Sequence, residues 1–265
     1  MCIICYKPAG ANFPTKNQYK TMFRNNPDGA GFMFRRAGED AVNIRKGFMS
    51  YSAFRNALAA EKLTTADDVA FHFRIATHGG VNKEMTQPFP LSNKKRALTA
   101  MSYTSDTGVM HNGIITLCND ARKLSDTAQF IAQYMTRLCP QEKPLSRRFD
   151  DITLNIIEAC IGSRMLILTA AGDAHILGRG WITDGDLIFS NDSYIDYLKT
   201  WKKSRKTSAV YDWGDWGVYG GGGWNEPEPT ADDFANYCDG GCETCGLYSY
   251  CWDTKAPTDY GINSN

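Results

Sequence analysis

The sequence predicts an α+β protein or a layered sandwich. Strand-length apolar runs are frequent, segments with helical spacing are few, and no regular alternation of strand and helix signals a parallel βαβ sheet. In chain order the predicted strands are Cys2–Tyr6, Gly31–Arg36, Val69–Ile75, Ala97–Ser102, Met165–Thr169, Ala174–Leu177 and Leu187–Ser190. Between them, Tyr51–Leu63 puts Phe54, Leu58 and Leu63 roughly on one side of a helix. Ser125–Leu138 does the same with Ala128, Ile131, Ala132, Met135 and Leu138, and Ser125-Asp126 is a natural helix start. Asp150–Ile161 repeats the pattern with Ile152, Ile156, Ile157 and Cys160.

The chain has 265 residues, 43% hydrophobic and 22% charged, with 29 basic and 29 acidic side chains. That length holds one sizeable domain with appendages or two small ones. A formal net charge of zero gives no reason to expect a polyanion or a membrane surface as partner. The basic stretch Lys199–Lys206 reads first as a solvated face, so nucleic acid is not an expected partner. No run of about eighteen apolar residues occurs, and the first residues lack the apolar core of a secretory signal. The expectation is a cytoplasmic protein whose nine cysteines are mostly reduced.

Composition changes near Lys206. Residues 1–206 read as one domain, 207–234 as a Gly/Trp/acidic linker, and 235–265 as a Cys-rich tail. The linker's core, YDWGDWGVYGGGGWNEPEP, keeps no periodicity, though its aromatic residues are of the kind that anchor partners. In the tail, Cys238, Cys242, Cys245 and Cys251 follow a C-x3-C-x2-C-x5-C spacing. Four thiols this close can wrap one structural Zn²⁺, and the glycines among them ease the turns. With only one C-x2-C pair, disulfides or free thiols stay open as alternatives.

The first half carries several polar, glycine-containing stretches: NNPDGAGF (25–32), HFRIATHGGVN (72–82), MTQPFP (85–90), VMHNGII (109–115) and LSDTAQF (124–130). Singly, each has a structural explanation. Asn112-Gly113 fits a hairpin turn, Ser125-Asp126 a helix cap, Arg74 a strand end and His78 a loop. Cys2 is different, because cleavage before it would place an α-amine and a thiol within a few ångströms on one residue. His72 and His175 read as partly buried strand histidines.

Taken in order, Cys2, Arg-x-Ala-Thr-His-Gly at 74–79, His-Asn-Gly at 111–113 and Ser-Asp-Thr at 125–127 resemble the glutaminase domain of class II glutamine amidotransferases, a group of N-terminal-nucleophile (Ntn) hydrolases. The resemblance covers roughly residues 2–200, and THGGVN…QPF is most similar to the small members that lack a fused synthase. It implies a four-layer αββα sandwich: two mainly antiparallel sheets face to face, helices outside, the active site at one end. It implies glutamine as substrate and Cys2 as nucleophile, with its own α-amine, ordinarily near pKa ~7.7–8.0, as base. Asn112, by its side-chain amide, and Gly113, by its N–H, would hold the oxyanion. Arg74 would take the α-carboxylate, Asp126 the α-ammonium, and Thr77, His78 and Gly79 would line the pocket. Asp28 to Gly31 would form the turn nearest the nucleophile. No catalytic cofactor is implied, and with no G-x-x-x-x-G-K-[ST] loop present, released ammonia would go to a separate synthase. Ile3 departs from the family pattern, in which Gly follows the nucleophile. Two other readings remain: an Ntn amidase acting on a γ-glutamyl or other small amide, and a non-catalytic Ntn-like binding scaffold carrying the zinc module.

Overall fold

Eleven strands build two antiparallel sheets in a computed structural model that describes residues 2–75, 81–118 and 124–196. The strands are β1 (Ile3–Lys7), β2 (Ala30–Arg35), β3 (Val42–Phe48), β4 (Asp68–Phe73), β5 (Phe89–Pro90), β6 (Ser102–Ser105), β7 (Thr107–Asn112), β8 (Arg164–Thr169), β9 (Ala174–Leu177), β10 (Ile182–Asp184) and β11 (Leu187–Phe189). The larger sheet runs β10-β11-β1-β4-β2-β3-β6 and the smaller β5-β7-β8-β9. The helices are α1 (Lys16–Asn25), α2 (Tyr51–Ala60), α3 (Lys95–Thr99), α4 (Asp126–Phe130), α5 (Thr136–Leu138), α6 (Leu145–Arg148) and α7 (Asp151–Ile161); a π-helical stretch, Ile131–Met135, joins α4 to α5. By its internal contacts the chain divides after Leu198. The second unit, 199–265, lies outside the described residues, and with it the Lys199–Lys206 stretch, the linker and the Cys-rich tail.

Strand alternation sorts the apolar side chains into three clusters. Ile4 and Tyr6 of β1, Ala70 of β4, Met33 of β2 and Val42 and Ile44 of β3 meet Met110 of β7 and Leu166 and Leu168 of β8, so the two sheets face each other. The intervening residues of the larger sheet, such as Ile3, Cys5, Phe32, Phe71 and Phe73, pack on Tyr19 and Met22 of α1 and Phe54 of α2. On the smaller sheet Val109, Met165 and Ile167 pack on Phe130, Ile131, Ile157 and Ile161. A one-residue slip of β1 would exchange the two faces, so this packing fixes the strand's register.

Local signals account for the helix ends. Ser50, Ser125 and Asp150 each accept a hydrogen bond from the backbone N–H three residues on, and Thr15 forms a full capping box with Gln18. Gly162 stops α7 in the left-handed conformation, φ 58°.

The structure corrects the sequence reading in places. Ala97–Ser102 is not a strand: Lys95–Thr99 is helical and the strand begins at Ser102. Lys, Arg, Ala and Leu are good helix formers, and so short an apolar run carries no period of its own. In α7 the buried residues are Thr153, Ile157 and Ile161, while Ile152 is 74% exposed. His72 is fully buried rather than partly so.

Candidate functional site

Three of the sequence-selected side chains arrive at one end of the facing sheets. Ile3 pairs with Phe73, which sets Cys2 opposite Arg74 at the neighbouring ends of β1 and β4. The Cys2 sulfur lies 3.4 Å from the Ile75 N–H nitrogen and 3.5 Å from the Ile75 carbonyl oxygen. Asn191 donates to the Cys2 carbonyl at 2.6 Å, anchoring the start of β1 from its other side. Asn112 comes from the smaller sheet, as the last residue of β7. Its side-chain N–H donates at 2.9 Å to the Ser190 hydroxyl, which also accepts from the Ile4 N–H at 2.8 Å. Ser190 thereby ties the end of the smaller sheet to the strand that begins beside Cys2.

Electrostatics at Cys2 oppose one another. Burial pushes the thiol up from its ordinary value, while the Ile75 N–H and the Arg74 charge act the other way by favouring thiolate. Beneath Cys2 and Arg74, on the same face of the larger sheet, stand Ile4 and His72. Burial pushes His72 down to about 3, with Arg74 adding to the effect and the nearby His111 carbonyl opposing it, so its ring is neutral and adds no charge below the pair.

Gly113 follows Asn112 at φ 156°, and a Cβ there would fall 2.4 Å from Ser163 Cβ and 3.2 Å from His111 Nε2. Close approach, more than turn geometry, requires glycine at this point. Asp126 sits beside this segment. One carboxylate oxygen accepts the Ile115 N–H at 2.8 Å and the other the Thr127 N–H at 2.8 Å. Asp126 thus fastens the loop after Gly113 to the start of α4. Asp28 and Gly29 contact the site through Arg74, whose carbonyl accepts from Asp28 at 2.9 Å and whose N–H donates to Gly29 at 2.8 Å. Thr77, His78 and Gly79 lie outside the described residues.

Two further residues belong to the site. His111 is buried with its ring on the helix side of β7, Nε2 at 2.6 Å from the Ser163 hydroxyl and Nδ1 at 3.2 Å from that of Thr127. Burial pushes it down to about 4, against the pull of Asp126, so the ring is neutral. Gln87 reaches His111 from the β5 edge of β7, its amide bonding both the N–H and the carbonyl of that residue. His-Asn-Gly pointed to His111 by position only. Nothing in the QPF stretch distinguishes a site glutamine from a turn residue.

Among the described residues no group of three or more His, Cys, Asp or Glu could hold a metal ion, and no helix is long and apolar enough to cross a membrane. Cys238, Cys242, Cys245 and Cys251 lie outside the described residues. No known family model matches the chain, and comparison with characterised proteins finds no match.

Proposed function

We propose that this chain carries a class II glutamine amidotransferase domain similar to the small members of that group, an Ntn hydrolase that releases ammonia from glutamine. The observation that carries the reading is the convergence of Cys2 and Arg74, at neighbouring strand ends of one sheet, with Asn112 at the end of the facing sheet. The three apolar clusters, helix against sheet, sheet against sheet and sheet against helix, favour the four-layer αββα sandwich that goes with such a site.

In this mechanism, cleavage before residue 2 frees the α-amine of Cys2. The amine takes the thiol proton, and the thiolate attacks the side-chain carbonyl carbon of glutamine. The oxyanion that forms is held by the second N–H of the Asn112 amide and by the Gly113 N–H; losing one such donor typically costs about 10²–10³ in rate. The protonated amine passes its proton to the leaving nitrogen, the C–N bond breaks, and ammonia departs from a γ-glutamyl thioester. Water, deprotonated by the same amine, adds to the thioester carbon; the C–S bond breaks and glutamate leaves. Arg74 receives the substrate α-carboxylate as a bidentate partner and Asp126 its α-ammonium, through Oδ2, which keeps a lone pair beyond its bond from the Ile115 N–H, whereas Oδ1 accepts from both the N–H and the hydroxyl of Thr127. Thr77, His78 and Gly79 are the further substrate-binding residues of this proposal. No cofactor enters, and the ammonia is supplied to a separate synthase. Cys238, Cys242, Cys245 and Cys251 bind a structural Zn²⁺ in the tail, and the protein works in the cytoplasm.

The test is glutamate and ammonia release from glutamine by the processed protein beside Cys2→Ala. Release by the former and not by the latter is expected; equal rates in the two would end the proposal.

A further inference from the structure

The antiparallel register of β5 on β7, Phe89 opposite Val109 and Pro90 opposite Gly108, would set Gln87 opposite His111 if it continued. The backbone pairing ends at Phe89, opposite Val109, one hydrogen-bonded pair short of that position. The Gln87 side chain takes over: its Oε1 accepts from the His111 N–H at 2.6 Å and its Nε2 donates to the His111 carbonyl at 3.0 Å. These two bonds are the pair that a facing strand residue would exchange with His111. The remaining hydrogen of Nε2 points to the Thr127 hydroxyl at 3.4 Å, and that hydroxyl holds the His111 ring. Gln87 and His111 are both buried, so neither set of polar groups has solvent to fall back on.

We propose that Gln87 is a positioning residue for the oxyanion donors, acting through the main chain of His111 on Asn112 and Gly113. The proposal rests on the reading of those two residues as donors. Three fixings converge on this short segment: the Gln87 amide on the backbone of 111, the Ser163 and Thr127 hydroxyls on its ring, and Asp126 on the N–H of 115. Of these, Gln87 is the fixing from the β5 side, where β7 has no backbone partner at that level. Misplacement of reacting groups by about 1 Å costs roughly 10²-fold in rate. Removing the Gln87 amide therefore acts on kcat and leaves KM for glutamine nearly unchanged, because Arg74 and Asp126 stay in place.

The test uses Gln87→Glu and Gln87→Met in the processed protein. Ionised Glu accepts from the His111 N–H but sets an oxygen against its carbonyl. Protonated Glu restores both bonds. Gln87→Glu should lose about 10- to 100-fold in kcat at pH 8, and recover toward wild type as pH falls through its carboxyl pKa. Gln87→Met should show the same loss with no recovery. Amide NMR signals of Asn112 and Gly113 should move in both variants at pH 8 and return at low pH only in Gln87→Glu. A kcat within about twofold of wild type in both variants, or unmoved Asn112 and Gly113 signals, overturns the proposal. If wild type does not turn glutamine over, the function fails instead, and the NMR signals alone decide whether Gln87 positions the segment.

Discussion

Lys46 is the most buried cation of the larger sheet that faces the other sheet, and replacing it with Met gives a prediction with a definite sign. Its side chain is 2% exposed; Nζ donates to the Leu98 carbonyl at 2.6 Å and the Glu84 carbonyl at 2.9 Å, and lies 3.9 Å from the Phe89 ring centre. Burial pushes its pKa from 10.5 down to about 7, against the attraction of Glu84. Folding therefore penalises the protonated form. The penalty is complete below about pH 7, where folded and unfolded chains are both protonated, and is relieved as pH rises toward the unfolded value of 10.5. Within that window wild type gains about 1.4 kcal/mol per pH unit, or roughly 2–3 kcal/mol between pH 7.5 and 9.5. Lys46→Met has no such slope. It escapes the charge penalty but strands two carbonyls at about 1–3 kcal/mol each, so the two proteins have similar stability near neutral pH. Urea unfolding of both at pH 7.5 and 9.5 measures the difference. Stability curves that stay parallel over this range would refute the buried, proton-poor lysine.

Other perturbations probe the site. Gly113→Ala drives a Cβ to 2.4 Å from Ser163 and should cost about 1–3 kcal/mol in urea unfolding, with glutamine turnover falling at least tenfold. Gly162→Ala, at φ 58° with open space around it, is the control and should cost about 1–2 kcal/mol with turnover intact; equal turnover losses in the two would remove the special role of the Gly113 approach. Arg74→Met withdraws a charge that favours the Cys2 thiolate, so the pH profile of iodoacetamide reaction at Cys2 should move to higher pH; an unchanged profile would separate the two residues. For the tail, metal analysis should find zinc in the full chain and lose it in Cys242→Ser and Cys245→Ser, and a metal-free wild type would remove that proposal.

Much of the layering was legible because it depends on period. β1, β2, β4, β8, β9 and β11 all coincide with runs of apolar residues, whose alternate members divide between two clusters. β3 was not legible, although it alternates as strictly as any strand. Its inward residues are Val42, Ile44 and Lys46, and a lysine at the third buried position hides the pattern. α1 was hidden for a similar reason: Tyr19 and Met22 are its buried large apolar residues in a polar decapeptide. Within the site, Cys2, Arg74, Asn112, Gly113 and Asp126 came from an ordered motif set. What the motif could not supply was the support around them. Ser190 and Gln87 act through single side chains that bridge elements distant in sequence, and no local spacing announces such a bridge.

The proposed function requires Cys2 to be a nucleophile facing a slot shaped for a free amino acid. The direct measurement is covalent trapping with a diazoketone analogue of glutamine, read by intact mass and peptide mapping of the processed protein. One adduct per chain is expected, on Cys2, slowed by excess glutamine and absent from Cys2→Ala. No adduct, or an adduct on another cysteine that glutamine does not slow, would contradict it.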